Sequence, residues 1–431
     1  MNFYSTNDRR TRVNLREAVL RGLAPDNGLF MPERIDKLPK GFLSELKHSS
    51  FKELSFAVAR HLLGDSLSEN ILGSIIEQTV QFDAPVVPLG QDVWVLELFH
   101  GPTLAFKDFG ARFLASMLGY FARDESREIS ILVATSGDTG SAVANGFLDV
   151  PGTRVIVLYP SGKVSALQEK QFTTLGGNIT ALEVEGTFDD CQRLVKSAFL
   201  DKEVNSRSFL TSANSINIAR LIPQTFYYFK PWIELAGEEE TLTFAVPSGN
   251  FGNLTAGLIA KKMGLPARFV AATNANDVVP EAFRTGTFTA RPSVATISNA
   301  MDVGNPSNYA RMMDLYDGDI AKLKSDVAAF SFSDQQTRNA MRSVNAEANY
   351  ILDPHGAVAY CGLMQFQNEN GGSGKSIVLE TAHPGKFRET VEETLGRAIE
   401  IPKRLSVFGR KKKKSIAMRP HFAQLKEFLL S

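Results

Sequence analysis

Two cysteines in 431 residues, Cys191 and Cys361, stand far apart, and neither sits in a CxxC or Cys/His spacing. That scarcity excludes a disulfide framework and a zinc site, and a reducing, cytoplasmic setting is expected. Histidines number only six, with no HExxH helix, and no carboxylate pair has glycosidase-type spacing, so no metal ligand is expected. The GxSxG elbow of a serine hydrolase is also missing. Charge of one sign is lacking as well: 47 Lys and Arg balance 47 Asp and Glu. No overall field therefore draws the chain to nucleic acid or to an anionic membrane. No segment approaches the roughly 18 apolar residues of a membrane span. The opening stretch "MNFYSTNDRRTRVNLREAVLRGL" has no apolar core of a secretory signal.

Two stretches imitate known motifs. "GGSGKS" at 371–376 resembles a nucleotide-phosphate loop, but the first glycine of that pattern would fall on Glu369, and a strand follows where a helix is required. It reads as a surface turn. "RKKKK" at 410–414 is short, lacks interleaved aromatics and reads as a solvated loop.

At 431 residues the chain exceeds what one core usually supports, so two or more domains are expected. From residue 92 onward, apolar runs of strand length are each followed by a Gly-rich turn and then a helical pattern. "DVWVLELFHGPT", "EISILVATSGDTG", "TRVIVLYPSGK", "TLTFAVPSGNFGN", "ARFVAATNAND" and "SIVLETAHPGK" are the members. Strands that are apolar throughout and alternate with helices predict mainly parallel sheets covered on both faces, an α/β enzyme architecture. Ligands in such sheets sit outside the carboxyl ends of the strands, where these Gly, Ser, Thr and Asn residues fall. Residues 1–88 read as an N-terminal, largely helical region, and 305–350 as a mainly helical insertion that includes "SNYARMMDLYDGDIAKLKSDVAAF".

Three loops carry chemistry. "PSGNFGN", 247–253, joins a strand to a helix start, where backbone N–H groups and the helix dipole form an anion cradle. Gly249 and Gly252 would let the backbone approach a phosphate, and Asn250 and Asn253 would donate; a capped turn without ligand is the alternative. "ATSGDTGSAVA", 134–144, offers Ser136, Gly137, Asp138 and Thr139 at a second helix start, suited to a carboxylate, with Asp138 alternatively an N-terminal cap. "SANSINIAR", 212–220, adds Asn214, Ser215, Asn217 and Arg220, a second anion site or a turn anchored by its arginine. Finally, "FHGPTLAFKDFGARFLA", 99–115, puts Lys107 between a Gly-Pro turn and an apolar helix. An ammonium there is salt-bridged, chemically used, or snorkels past Phe106 and Phe109 to water. One lysine, a phosphate cradle, a carboxylate-type loop and a second anion site in one chain suit pyridoxal phosphate, whose aldehyde condenses with an amine.

Along nearly the whole chain the sequence resembles the threonine synthases, fold-type II pyridoxal phosphate enzymes, in their short form. The resemblance runs through "GLAPDNGLFMPE", "HGPTLAFKDFGARF", "ATSGDTGSA", "YPSGKVSALQEKQFTTLGGNI", "VEGTFDDCQ", "SANSINIARLIPQ", "PSGNFGN" and "TAHPGKF". Two departures, Gly385 in "HPGKF" and Asn27 in "APDNG", replace the usual Ala and Gly and touch no group assigned to chemistry. The resemblance implies that Lys107 is the cofactor's Schiff-base lysine. It implies that Gly249, Asn250, Phe251, Gly252 and Asn253 line the cofactor phosphate, and that Thr381 lies beside the pyridine nitrogen. A hydroxyl in that position leaves the ring less protonated than a carboxylate would. Ser136, Gly137, Asp138 and Thr139 would hold the substrate carboxylate, and Asn214, Ser215 and Arg220 its phosphate. The implied substrate is O-phospho-L-homoserine, with threonine as product; a related phospho-lyase that releases a keto acid is the alternative. The resemblance implies a fold-type II α/β architecture of two domains. The expected division is a small domain at 108–225, a large cofactor domain at 89–107 and 226–400, and a C-terminal extension at 401–431, in a monomer or homodimer.

Overall fold

The computed structural model describes residues 1–237, 240–371 and 374–431. The chain forms two compact units. One holds Pro32–Phe106 and Leu221–Glu400; the other holds Asn2–Met31, Lys107–Arg220 and Ile401–Ser431.

The smaller unit is built on a five-stranded sheet. Ile129–Ala134, Thr153–Pro160, Ile179–Val184 and Ile416–Met418 succeed one another across it, and Phe209–Ser212 lies on the other side of Ile129–Ala134. Every pairing is parallel. "ISILVA" at 129–134 is buried at all six positions, as a central strand covered on both faces requires. Leu132, Ile156, Leu182, Leu194 and Leu210 form the core beneath the flanking helices.

The larger unit carries six strands in the order Val327–Ser331, Ala267–Thr273, Leu242–Pro247, Ser376–Glu380, Val93–Glu97, Val86–Gly90. All pair parallel except the last, which is antiparallel and bulged at Pro88. Proline cannot donate to a ladder, so that strand belongs at the edge. Val93, Ala245, Val270, Ala359, Leu363 and Val378 form a core under helix Pro354–Asn370.

Every apolar run expected to be a strand is one. The division into units differs from the expected boundaries in four ways. Residues 1–88 are split, with Asn2–Met31 in the smaller unit and the stretch from Pro32 in the larger. Lys107 opens the smaller unit instead of closing the larger one, and the return crossing comes after Arg220 rather than after 225. The last segment, 401–431, is no appendage. Its strand completes the smaller sheet, and Met418, Leu425 and Leu429 enter that unit's core. Within the insertion, Val327–Ser331 is a strand beside Ala267–Thr273, although the sequence there reads as the tail of a helix. Its half-buried position at the open edge of the larger sheet, paired on one side only, overrides the local pattern.

The two decoys also have structural explanations. Gly371 closes helix Pro354–Asn370 and strand Ser376–Glu380 follows, while Gly372 and Ser373 lie outside the described residues. In the basic run, Lys413 pairs with Glu169 and Glu183 at 2.6 and 2.7 Å, and the Lys414 N–H donates to the Thr173 carbonyl. This stretch is therefore partly docked on the smaller unit.

Candidate active site

In each sheet one strand has its successors on one side and a late arrival on the other. The carboxyl ends on either side of that reversal bound a crevice in which such sheets bind ligands. In the smaller unit the reversal lies between Ile129–Ala134 and Phe209–Ser212, which lead into the 134–140 and 213–220 loops. In the larger unit it lies between Leu242–Pro247 and Ser376–Glu380, which lead into the 248–253 loop and Thr381. Apart from Lys107, which opens helix Lys107–Phe121, the residues singled out by sequence fall at these two places, each within its own unit.

The loop of the smaller unit is held from within. Thr135 Oγ1 accepts from the N–H groups of Gly137 and Gly140 at 2.9 and 2.8 Å, and helix Asp138–Phe147 begins there. Gly137 is the helix cap, so Asp138 is not a capping side chain; it is buried. Asp138 Oδ1 accepts from Gln168 Nε2 at 2.8 Å, and Oδ2 lies 3.9 Å from Lys107 Nζ. Ser136 and Thr139 are the half-buried members of the loop. Lys107 is the first residue of helix Lys107–Phe121. Its amine faces a carboxylate and remains partly exposed, which joins two of the readings open at the level of sequence.

The neighbouring loop is tied to the first by Asn214 Nδ2, which donates to the Ala134 carbonyl at 3.1 Å. Asn217 serves the fold instead, since its amide donates to the Val19 carbonyl at 2.9 Å and anchors helix Leu15–Arg21. Arg220 is only 2% exposed. Its Nη1 donates to the Ala213 carbonyl, and burial pushes its pKa down to about 10 against the opposing pull of Asp108. The guanidinium thus closes its own turn by bonding a main-chain carbonyl, a partner that the sequence reading did not consider.

The cradle of the larger unit has the opposite character. Helix Gly252–Lys262 starts after Phe251, which sits at φ 59°, and no side chain caps the helix. A left-handed Phe costs about a kilocalorie per mole, and such strain gathers at functional sites. Asn253 Oδ1 accepts from the hydroxyls of Tyr227 and Tyr228 at 2.6 and 2.7 Å. Burial raises both phenols well above their usual range, so both remain donors. The amide is thereby oriented with Nδ2 turned away, and that atom is buried without a partner, in a residue 5% exposed. Asn250 Oδ1 accepts from the Ser307 N–H at 2.6 Å, and its carbonyl accepts from Asn308 Nδ2 at 3.1 Å. Fully buried Arg311, pushed down to about 9 by burial, donates to Asn308 in turn.

The reason for glycine at 249 is a correction to the sequence reading. A Cβ there would come within 2.5 Å of Met301 Cα, so the missing side chain first serves the approach of another backbone segment. That segment, Asn299–Met301, is held by a buried relay. The Ala300 N–H donates to His355 Nε2 at 3.2 Å, and the ring's Nδ1 bonds Asp353, the cap of helix Pro354–Asn370. Behind it, Glu380 is raised well above the usual carboxylate range by burial and by the charge of Asp353.

Thr381 is buried, and its carbonyl accepts from the N–H of Phe106 at 2.8 Å. His383, pushed down to about 4 by burial, is a neutral acceptor for the Gly385 N–H.

The sequence reading missed Gln168, Tyr227, Tyr228, Asn308 and the Asp353–His355 pair. Only Asp353 carried a signal, as a cap before a proline-started helix. The others are polar residues buried by tertiary packing.

The donors of the larger unit fit the phosphate of pyridoxal phosphate. An uncapped helix start, an orphaned Asn253 Nδ2 and a loop packed by backbone are what a resident anion satisfies. Among the described residues no cluster of metal ligands competes with this reading.

Comparison with known proteins agrees. Residues 76–381 match the family described as pyridoxal-phosphate dependent enzyme, 2–80 match the threonine synthase N terminus, and 356–429 match the threonine synthase C-terminal family. The threonine synthase of Serratia marcescens is 44% identical over 435 residues, covering 100% of this chain and 99% of that protein. The crystal structure of threonine synthase from Escherichia coli superposes with a TM-score of 0.93 at 42% identity, covering 100% of this chain and 99% of that one. A threonine synthase from Brucella melitensis, solved with PLP bound, superposes with a TM-score of 0.92 at 32% identity, covering 100% and 99%. Matched end to end by these families and relatives, the chain belongs to the threonine synthases, a family of pyridoxal-phosphate-dependent enzymes.

Proposed function

We propose that this chain converts O-phospho-L-homoserine and water into L-threonine and phosphate, with Lys107 as the reacting amine. The observation that carries the reading is Asn253 Nδ2, buried and unpartnered at the start of an uncapped helix. Bound pyridoxal phosphate supplies an aldehyde for the lysine and an electron sink for charge that develops on the substrate.

This chain's residues do the rest. Gly252 and Asn253, at the helix start, and the backbone of 249–251 hold the cofactor phosphate. Thr381 sets a neutral hydroxyl at the pyridine nitrogen. Lys107 would take the proton from Cα and one from Cβ, and return protons to Cγ after phosphate has left and to Cα after water has added at Cβ. Ser136 and Thr139 receive the substrate carboxylate, with Gly137 shaping the turn between them and Asp138 oriented to the amine. Asn214, Ser215 and Arg220 receive the substrate phosphate, and the two anion sites answer the two anionic groups of one substrate.

A cytoplasmic setting accords with two free thiols, and the chain acts as a monomer or homodimer on this reading. The test is product identification after incubation with O-phospho-L-homoserine. Threonine and phosphate in equal amounts are expected; a keto acid in place of threonine defeats the reading in favour of a phospho-lyase.

A further inference from the structure

We propose that Gln168 is a positioning residue for the lysine chemistry: it fixes the direction of the Asp138 carboxylate and so keeps that charge turned to the amine of Lys107. The inference rests on Lys107 being the reacting amine.

Gln168 is 1% exposed, in helix Ala166–Thr173. Both ends of its amide are assigned by their partners. Ser165 Oγ donates to Oε1 at 2.9 Å, so the NH2 end must face the other way, where Nε2 donates to Asp138 Oδ1 at 2.8 Å. A carboxylate only accepts, so the arrangement is self-consistent. Gln168 is held by its main chain as well: its carbonyl accepts from Ser141 Oγ at 3.2 Å, on the helix that Asp138 begins. Gly137 leaves the space. At φ 142° it has a conformation few side chains adopt, and a Cβ would lie 2.9 Å from the Gln168 amide carbon. The carboxylate loop and Gln168 are therefore built around each other.

With Oδ1 engaged, Oδ2 of Asp138 points to Lys107 Nζ at 3.9 Å, beyond a hydrogen bond but well inside Coulomb range. A charge at that distance favours the protonated amine, yet it does not lock the amine in a contact pair. An amine that must join and leave a carbonyl needs this intermediate condition. Asp108, next on its helix, is buried and is faced by Arg112 on the same helix and by Arg220 from the 213–220 turn.

The test follows the protonation of Lys107 itself. The full-length chain, freed of cofactor with hydroxylamine, is labelled with acetic anhydride across a pH series. The Lys107 peptide is quantified by mass spectrometry. Asp138→Asn is expected to lower the apparent pKa of the amine by about one unit. Gln168→Met, which keeps the volume and removes the hydrogen bond, is expected to shift it in the same direction by about half as much, with a melting temperature lowered only as the loss of one buried hydrogen bond requires. The pH titration of the visible band of each holoenzyme should move in the same order. If Gln168→Met does not fold, Ser165→Ala frees the amide to flip and should give a smaller downward shift. A Gln168→Met profile that superposes on the wild type overturns the proposal. So does an upward shift, which would mean that Gln168 restrains Asp138 from closing on the amine, and so does an Asp138→Asn profile without a shift.

Discussion

The loops at 134–140 and 248–253 follow the same plan, strand to glycine turn to helix start, but they satisfy their donors in opposite ways. In the first, Thr135 Oγ1 absorbs two of the free N–H groups and Gln168 holds the one charged side chain. In the second, no side chain caps the helix, Phe251 is held in a left-handed conformation, and Asn253 Nδ2 has no partner. On the proposed function the first loop receives a transient substrate and must be stable when empty, so it fulfils its own needs. A loop that houses a permanent anion can leave its donors to that anion, because binding supplies what folding left unsatisfied.

The sharpest way to break this comparison is at the reacting amine. Lys107→Ala should abolish turnover and the visible band while leaving the melting temperature of the unliganded chain close to wild type. Retained turnover would remove the lysine from the chemistry.

Arg220→Ala should lower kcat/KM for phosphohomoserine by about 2–3 kcal/mol, roughly 30- to 150-fold, as when a charged hydrogen bond is lost in a closed site. Stability should fall too, by about 1–3 kcal/mol, because the buried Ala213 carbonyl loses its donor. Arg220→Lys should recover only part of either. Kinetics measured well below the melting point, with the cofactor spectrum intact, separate the two effects. Lost stability with unchanged kcat/KM would make Arg220 a turn anchor alone.

Gly249→Ala probes the second loop. The added Cβ meets backbone at Met301, which a side-chain rotation cannot relieve, so about 1–3 kcal/mol should be lost. Because the strain falls on the cradle, cofactor affinity by absorbance titration should weaken more than the melting point of the unliganded chain drops. The reverse ranking would mean that Gly249 serves packing only.

The smallest effect is expected in the first loop. Thr135→Val removes the acceptor for two N–H groups and should cost about 1–2 kcal/mol of stability. Substrate KM should rise, and cofactor affinity should change little. An equal loss of both would erase the distinction between the loops.

Much of this arrangement was legible in the chain. The strand runs are apolar over their whole length, and burial on both faces demands that; each ends in the glycine-rich turn that opens the next helix. The placing of "SGDTG", "NSINIAR" and "PSGNFGN" at strand ends follows from those two signals. Arg220 shows where legibility stopped. An arginine among asparagines reads as an anion ligand, and its engagement with Ala213 is invisible without the fold. Lys413 is a similar case, taken for solvated until Glu169 and Glu183 come beside it from other elements.

By itself the sequence determined the fold class, because it depends on local patterns of periodicity and turn residues, and its resemblance to a family pointed to the cofactor chemistry and proposed the lysine. Tertiary structure alone decided which strands flank each reversal, that the last thirty-one residues complete the smaller unit, that Gly249 makes room for Met301, and that Gln168 rather than solvent faces Asp138. The physical reason is the same throughout. A polar side chain carries no mark of whether it will be buried, and its partner is chosen only when residues distant in sequence are packed against it.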